Sequence, residues 1–141
     1  MAYIDTYRAV VAPSDCDHLG HMNVSGYFQA CSDAVIAFQA QLGLTPADVL
    51  KGRKLSFAVV RAESDFKSEV TAGDVLTMHT GLVEVGTKSA IFRHRLVKSD
   101  GSVAFETLFR CVLLDLVARR AAVIPDEVRT AATSLWWPPE D

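Results

Sequence analysis

The sequence predicts an α+β fold in which an antiparallel sheet of five or six strands wraps around one long central helix. Three observations point there. Residues 24–42 repeat apolar side chains at helical spacing and carry Asp33 as their only charge. Residues 54–124 read almost entirely as strands separated by short turns. A strand also precedes the helix, so the sheet takes strands from both sides of it in sequence. The chain has 141 residues, 50% of them hydrophobic and 22% charged, which suits one domain over 1–141 with a real core.

Taken in order, residues 3–11 alternate roughly and form a first strand that Pro13 and Ser14 end. In the helix that follows, Phe28, Cys31, Val35, Phe38 and Leu42 recur at helical spacing among many alanines. A helix this apolar on several faces is expected to be buried rather than surface-lying. Gly43 suits its C-terminal cap. Thr45-Pro46-Ala47-Asp48 offers a capping hydroxyl with proline at the first helical position, so a short second helix is expected. Strands are expected at 54–67, 75–85, 88–98 and 102–117, with a short extension at 121–124. Thr71-Ala72-Gly73-Asp74 is a turn, and Ser99-Asp100-Gly101-Ser102 is the strongest hairpin signal in the chain. Pro125-Asp126-Glu127 opens a last short helix. Trp136-Trp137-Pro138-Pro139 is a tail that docks or stays loose.

The densest chemistry lies in Asp15-Cys16-Asp17-His18-Leu19-Gly20-His21-Met22-Asn23, between the first strand and the long helix. A helix start presents backbone N–H groups without intrahelical partners and a partial positive charge. Acid–base side chains beside such donors suit attack on a carbonyl, where negative charge develops on oxygen.

Bulk properties exclude several classes of function. A net charge of −3 gives no reason to expect nucleic-acid binding. No uncharged run approaches the length of a membrane span, and the first residues lack the basic and apolar regions of a signal peptide. Three cysteines, Cys16, Cys31 and Cys111, are odd in number and lack metal-site spacing, which fits a reduced cytosol.

The chain resembles the hotdog-fold thioesterases, in particular the 4-hydroxybenzoyl-CoA thioesterase-like branch. The resemblance rests on Asp15-x-Asp17-x-x-Gly20-His21-x-Asn23 with Tyr27, on Phe66 and the Gly73-Asp74 turn, and on Val85-Gly86-Thr87-Lys88-Ser89. The Asp100-Gly101 hairpin and residues 112–115 before Pro125-Asp126-Glu127 complete it. It implies homodimers, often paired into tetramers, with active sites between subunits. It implies hydrolysis of an acyl-CoA to a carboxylate and free CoA, with no metal and no cofactor beyond the coenzyme A of the substrate.

Asp17 is the carboxylate that the resemblance assigns to catalysis, as nucleophile or as general base on water. Thioesters combine a reactive carbonyl with a thiolate leaving group, so a carboxylate and an oxyanion hole suffice. The competing reading is a capping or turn aspartate. Asp15 is read as structural and His18 as a solvated loop residue. His21 could orient Asp17, bond the thioester oxygen or close the loop. Asn23 could orient water, or simply cap the helix, a position asparagine favours. The Val24 N–H is the expected oxyanion donor. Tyr27 and Asp33 are expected against substrate, although Asp33 could equally lie on an exposed strip with Gln29 and Ser32. Lys88 and Ser89 fall where the resembled family touches CoA phosphates or pantetheine, and Lys suits a phosphate as a point charge. Arg93 and Arg95 share a strand face and read first as solvated. Trp136 and Trp137 could seal a subunit interface or wall a cationic acyl group. Asp15, Asp17, His18 and His21 could ligate a metal but match no metal motif. Cys16 is rejected as a nucleophile, because two flanking carboxylates disfavour its thiolate. Rival activities are acyl-CoA binding without turnover, hydration or dehydration of an enoyl or hydroxyacyl thioester by an Asp17–His21 pair, and metal-assisted hydrolysis.

Overall fold

A computed structural model describes residues 3–138. Strand β1 (Ile4–Val10) leads through a 3-10 turn (Pro13–Asp15) to helix α1 (Val24–Gln41) and the short helix α2 (Pro46–Leu50). Strands β2 (Leu55–Phe66), β3 (Val75–Val85), β4 (Ser89–Lys98) and β5 (Val103–Asp115) follow. The two-residue strand β6 (Arg120–Ala121) and helix α3 (Asp126–Ala132) close the chain. The sheet is antiparallel in the order β1-β3-β4-β5-β2, with β6 added to β5. The expected elements are present within two or three residues. The 3-10 turn is additional, and the Trp136–Trp137 part of the tail docks. Pro139, the last residue of that motif, lies outside the described residues.

Helix α1 begins where Asn23 accepts from the Ser25 N–H at 2.9 Å, and ends as the chain turns at Gly43, whose φ is +94°. Tyr27, Ala30, Cys31, Ala34, Val35 and Phe38 form its buried stripe. Ala30, Cys31 and Ala34 are small enough to let the helix approach the sheet closely, and Phe38 fills the space beside Phe92. Each such fully buried aromatic contributes about 1.5–3 kcal/mol. Gln39 is buried too, yet its amide is satisfied by Ser56 at 3.2 Å and by the Phe57 N–H at 3.2 Å. The expectation of burial on several faces is corrected here. The sheet curls around one side only, and Ile36 on the other side is 53% exposed.

The inner face of the sheet is apolar except for one row that crosses all five long strands. Thr6 bonds Thr80 between hydroxyls at 2.8 Å, and Thr80 meets His94 Nδ1 at 2.7 Å. On the far side Ser64 bonds Thr107 at 2.7 Å, and Thr107 donates to the Glu63 carbonyl at 2.9 Å. His94 pairs in register with Thr80 on one neighbour and Thr107 on the other. Its ring is fully buried and set edge-on to Phe109 at 4.9 Å, and its Nε2 has no hydrogen-bond partner among the described residues. Burial pushes the imidazole down to about 3, so it is neutral near pH 7.

Two edges remain. Strand β1 pairs only with residues 75–80 of β3, and the tail covers part of what it leaves open. There Leu82 donates its N–H to the Leu135 carbonyl at 2.8 Å, and Trp137 donates to the Leu82 carbonyl at 2.7 Å. Strand β2 forms the other edge, with Val59 46% and Val60 59% exposed. No helix among the described residues is long and apolar enough to cross a membrane.

Candidate active site

The site is built from the residue upward in the loop between β1 and α1. Asp15 turns its carboxylate back to the Ala12 N–H at 2.8 Å, which closes the 3-10 turn and gives it the structural role expected. Cys16 and Met22 then pair as a small antiparallel bridge. The Asp17 N–H donates to the His21 carbonyl, and the Gly20 N–H to the Asp17 carbonyl, both at 3.0 Å. Gly20 has φ +84°, so its lack of a Cβ allows this tight tip. Met22 donates its N–H to the Val70 carbonyl at 2.7 Å and fastens the loop to the β2–β3 connection.

Asp17 is held at both oxygens. Oδ1 accepts from the Leu19 N–H at 2.9 Å, and Oδ2 lies 3.4 Å from the Asn23 amide nitrogen. Turn and capping roles are therefore real for both residues, and compatible with a functional role. Asn23 caps α1 with its oxygen while its nitrogen faces Asp17. Its own N–H is fixed by the Asp15 carbonyl at 2.9 Å. Val24 occupies the first helical position, ahead of the intrahelical ladder.

His21, Met22, Val24 and Tyr27 line a cleft of about 390 Å³, closed on the other side by Phe66 and Lys67. Tyr27 packs edge-on to Phe66 at 5.0 Å, and burial, then the charge of Cys16, raises its phenol above the ordinary value. It stays a protonated donor at neutral pH. Asp17 is half-buried and lies outside the cleft's lining; it is tied to that lining through the Asn23 amide, next in sequence to Met22 and Val24, and through its backbone bond to His21.

The structure thus brings His21, Val24 and Tyr27 together around the cleft, links Asp17 to Asn23 in the adjoining loop, and leaves the other three candidates apart. Asp33 sits exposed on α1, accepts from Gln29 at 3.3 Å and faces toward Tyr7 of β1 rather than this cleft. Lys88 and Ser89 lie at the far end of β4, where Leu113 donates to the Lys88 carbonyl at 2.9 Å. The acidic loop lies at the end where Lys98 pairs with Leu76. Ten residues of strand, roughly 30 Å, separate the two ends.

Arg93 and Arg95 are half-buried on the outer face, not fully solvated. Their guanidinium carbons lie 5.5 and 4.9 Å from the Trp137 ring centre, and Tyr3 stacks on the same ring at 4.7 Å. Trp137 is therefore occupied by the chain's own cations. Asp15 and Asp17 each spend oxygens on backbone donors, and no three His, Cys, Asp or Glu side chains converge among the described residues. Lys67, Ser68 and Glu69 escaped the sequence reading. They follow the end of β2 with no motif, and the pairing of β2 with β5 together with the Met22–Val70 backbone bond brings them beside the loop.

A curled antiparallel sheet cradling one long helix, with an acidic loop at the helix start, defines the hotdog class. The family model for the thioesterase-like superfamily matches residues 11–132, and the chain belongs to this superfamily of thioester hydrolases. It is 24% identical over 128 residues to a 1,4-dihydroxy-2-naphthoyl-CoA hydrolase of Prochlorococcus marinus (strain MIT 9303), covering 86% of this chain and 84% of that one. Its fold matches a hypothetical protein from Staphylococcus aureus solved in complex with CoA, with a TM-score of 0.88 and 21% identity over 100% of this chain and 90% of that one. It also matches the 4-hydroxybenzoyl-CoA thioesterase from Pseudomonas sp. strain CBS-3, with a TM-score of 0.83 and 21% identity over 93% and 99% of the two chains.

Proposed function

We propose that this protein hydrolyses an acyl-CoA thioester to a carboxylate and free CoA, with Asp17 as the catalytic carboxylate. One observation carries the reading: a carboxylate held by Leu19 and by the helix N-cap Asn23 stands at the start of a long helix whose first residue, Val24, lines a partly aromatic cleft. In this reading the thioester carbonyl points at the Val24 N–H, where the helix start stabilises the developing oxyanion. Asp17 either takes a proton from a water that attacks the carbonyl carbon or attacks that carbon itself. The carbon–sulfur bond then breaks and CoA leaves as a thiolate that needs no strong acid. After direct attack the acyl group remains on Asp17 as a mixed anhydride, which water hydrolyses to free the carboxylate and restore Asp17. The nitrogen of Asn23 keeps the carboxylate aimed, and His21 and Tyr27 supply donors along the cleft. No metal or bound cofactor has a part in these steps.

The relative's name and the CoA-bound neighbour support an acyl-CoA substrate. Among the described residues Asp17 and His21 meet through the backbone, the Asp17 N–H donating to the His21 carbonyl, which favours hydrolysis over the hydratase reading. A homodimer formed along the open β2 edge, itself half of a dimer of dimers, would bring a second subunit's Lys88 and Ser89 into play toward CoA.

The test is thiol release from a panel of acyl-CoAs by the wild type and Asp17→Asn. The amide oxygen of asparagine keeps the bond from Leu19, so the loop persists. A loss of about 100-fold or more is expected, the range for a positioned proton-transfer group or nucleophile. Equal rates would remove Asp17 from the mechanism, and tight binding of every acyl-CoA with no release would make the protein a carrier.

A further inference from the structure

A second cleft, of about 300 Å³, opens on the β1 side of the first turns of α1. Ala9, Val11 and Leu76 form its apolar floor, and Tyr7, Ser25 and Gln29 stand among its polar walls. It shares one wall residue with the catalytic cleft, the side chain of Met22. Position 26 is glycine, and a Cβ there would lie 2.8 Å from Met22 Cγ and 3.0 Å from its sulfur. The missing Cβ is what lets the thioether lie against the helix between the two clefts. Methionine is unbranched and changes rotamer cheaply, so this wall can move.

The second cleft has a defined electrostatic sense. No lysine, arginine or histidine lines it, and Asp15 does. Tyr7 is the group that reports the local field. Its phenol is raised above the ordinary value by burial first, then by the charges of Asp33 and Asp15. Hydroxyl, amide and carboxylate oxygens are thus available to a hydrogen-bond donor, while an anion would face the carboxylates of Asp15 and Asp33 with no cation in the lining to offset them.

We infer that the two clefts are arms of one substrate channel parted by Met22, and that the β1-side arm receives the far end of the acyl group. The arm selects acyl chains that end in a donor, a hydroxyl or an ammonium, and rejects chains that end in a carboxylate. This rests on the proposal that an acyl-CoA enters beside Val24, and it adds where the acyl group ends and what that end carries.

The test uses non-hydrolysable thioether analogues of hexanoyl-, 6-hydroxyhexanoyl-, 6-aminohexanoyl- and adipoyl-CoA, with dissociation constants measured by calorimetry. The wild type is expected to hold the amino and hydroxy analogues more tightly than hexanoyl, and adipoyl about tenfold or more weakly than the amino analogue. Gln29→Lys, on an exposed helix position, should reverse the order of the amino and adipoyl analogues. Tyr7→Phe should shrink the advantage of the hydroxy analogue over hexanoyl. Gln41→Lys adds the same charge at the other end of α1 and should leave the order intact. Four equal constants in the wild type would overturn the inference. So would a Gln29→Lys effect equal on all four, which would put pantetheine in the arm. Hydrolysis of the matching thioesters is scored separately. The expected binding order without turnover would sink the thioesterase reading and leave the arm standing.

Discussion

Asn23 does two things with one side chain. Its oxygen caps the helix and its nitrogen faces Asp17, so the two roles separate by isosteric change. Asn23→Asp keeps a good capping acceptor, so stability should fall by less than the roughly 1 kcal/mol expected for Asn23→Ala. It also replaces a donor by a second negative charge beside Asp17. Like charge disfavours ionisation, so the acid limb of the pH–rate profile should move to higher pH and kcat should fall. An unchanged profile with reduced stability would leave Asn23 as a cap alone. These residues were legible because their bonds close within nine positions of sequence, where turn and cap preferences act. Tyr7, Phe66 and Lys67 carried no such local signal. They reach the clefts through strand register and the β2–β3 connection, from 39 or more positions beyond Tyr27 in one direction and 20 before it in the other.

At the scale of elements, the boundaries followed turn chemistry closely. Gly43, Gly73 and Gly101 all have positive φ at the turns where the sequence places them. What periodicity could not supply was partnership. Helix α1 reads as apolar on several sides, but its pattern cannot say whether one sheet or two surfaces cover it. The tail is the clearest case, because two adjacent tryptophans announce apolar area without a destination. Trp137 is 8% exposed between Tyr3 and the two arginines, while Trp136 remains 39% exposed. Trp137→Ala should therefore cost about 3 kcal/mol in urea unfolding, the scale for emptying a buried aromatic site. Trp136→Ala should cost under 1 kcal/mol. Equal, small effects would mean that the tail contributes little to the fold.

For the whole molecule, pH and assembly give the informative measurements. The unfolded chain binds a proton on His94 near pH 6.5, whereas the folded protein resists until about pH 3. Below pH 6.5 the unfolded state holds the extra proton, so stability falls with falling pH across that window. By pH 4.5 the loss from this group is about 3 kcal/mol. His94→Gln should show a correspondingly flatter dependence in denaturant midpoints, whatever its stability at pH 7. A parallel decline in both proteins would clear His94 of the effect. Assembly is tested at β2. Val60 is the unpaired residue at a bulge in that strand, and if the proposed β2-edge dimer forms, Val60→Lys should convert it to a monomer in light scattering and lower thiol release with it. A lysine variant that remains dimeric would move the interface elsewhere.

The polar row through His94 also bears on how the strands find one another. Apolar side chains on the inner face are partly interchangeable, and a sheet slipped by two residues could still bury leucine against phenylalanine. The row is not interchangeable. Each strand contributes one rung, and a slip in any of them parts a hydroxyl or an imidazole from its partner inside the core. Each stranded group costs about 1–3 kcal/mol, against a total stability of only 5–15 kcal/mol for most domains. Five rungs, from Thr6 on one edge strand to Ser64 on the other, therefore check the alignment of the entire sheet at once. That alignment is what carries Phe66 and Lys67 to the side of the acidic loop, so the row helps decide, from inside the core, that a cleft forms there at all.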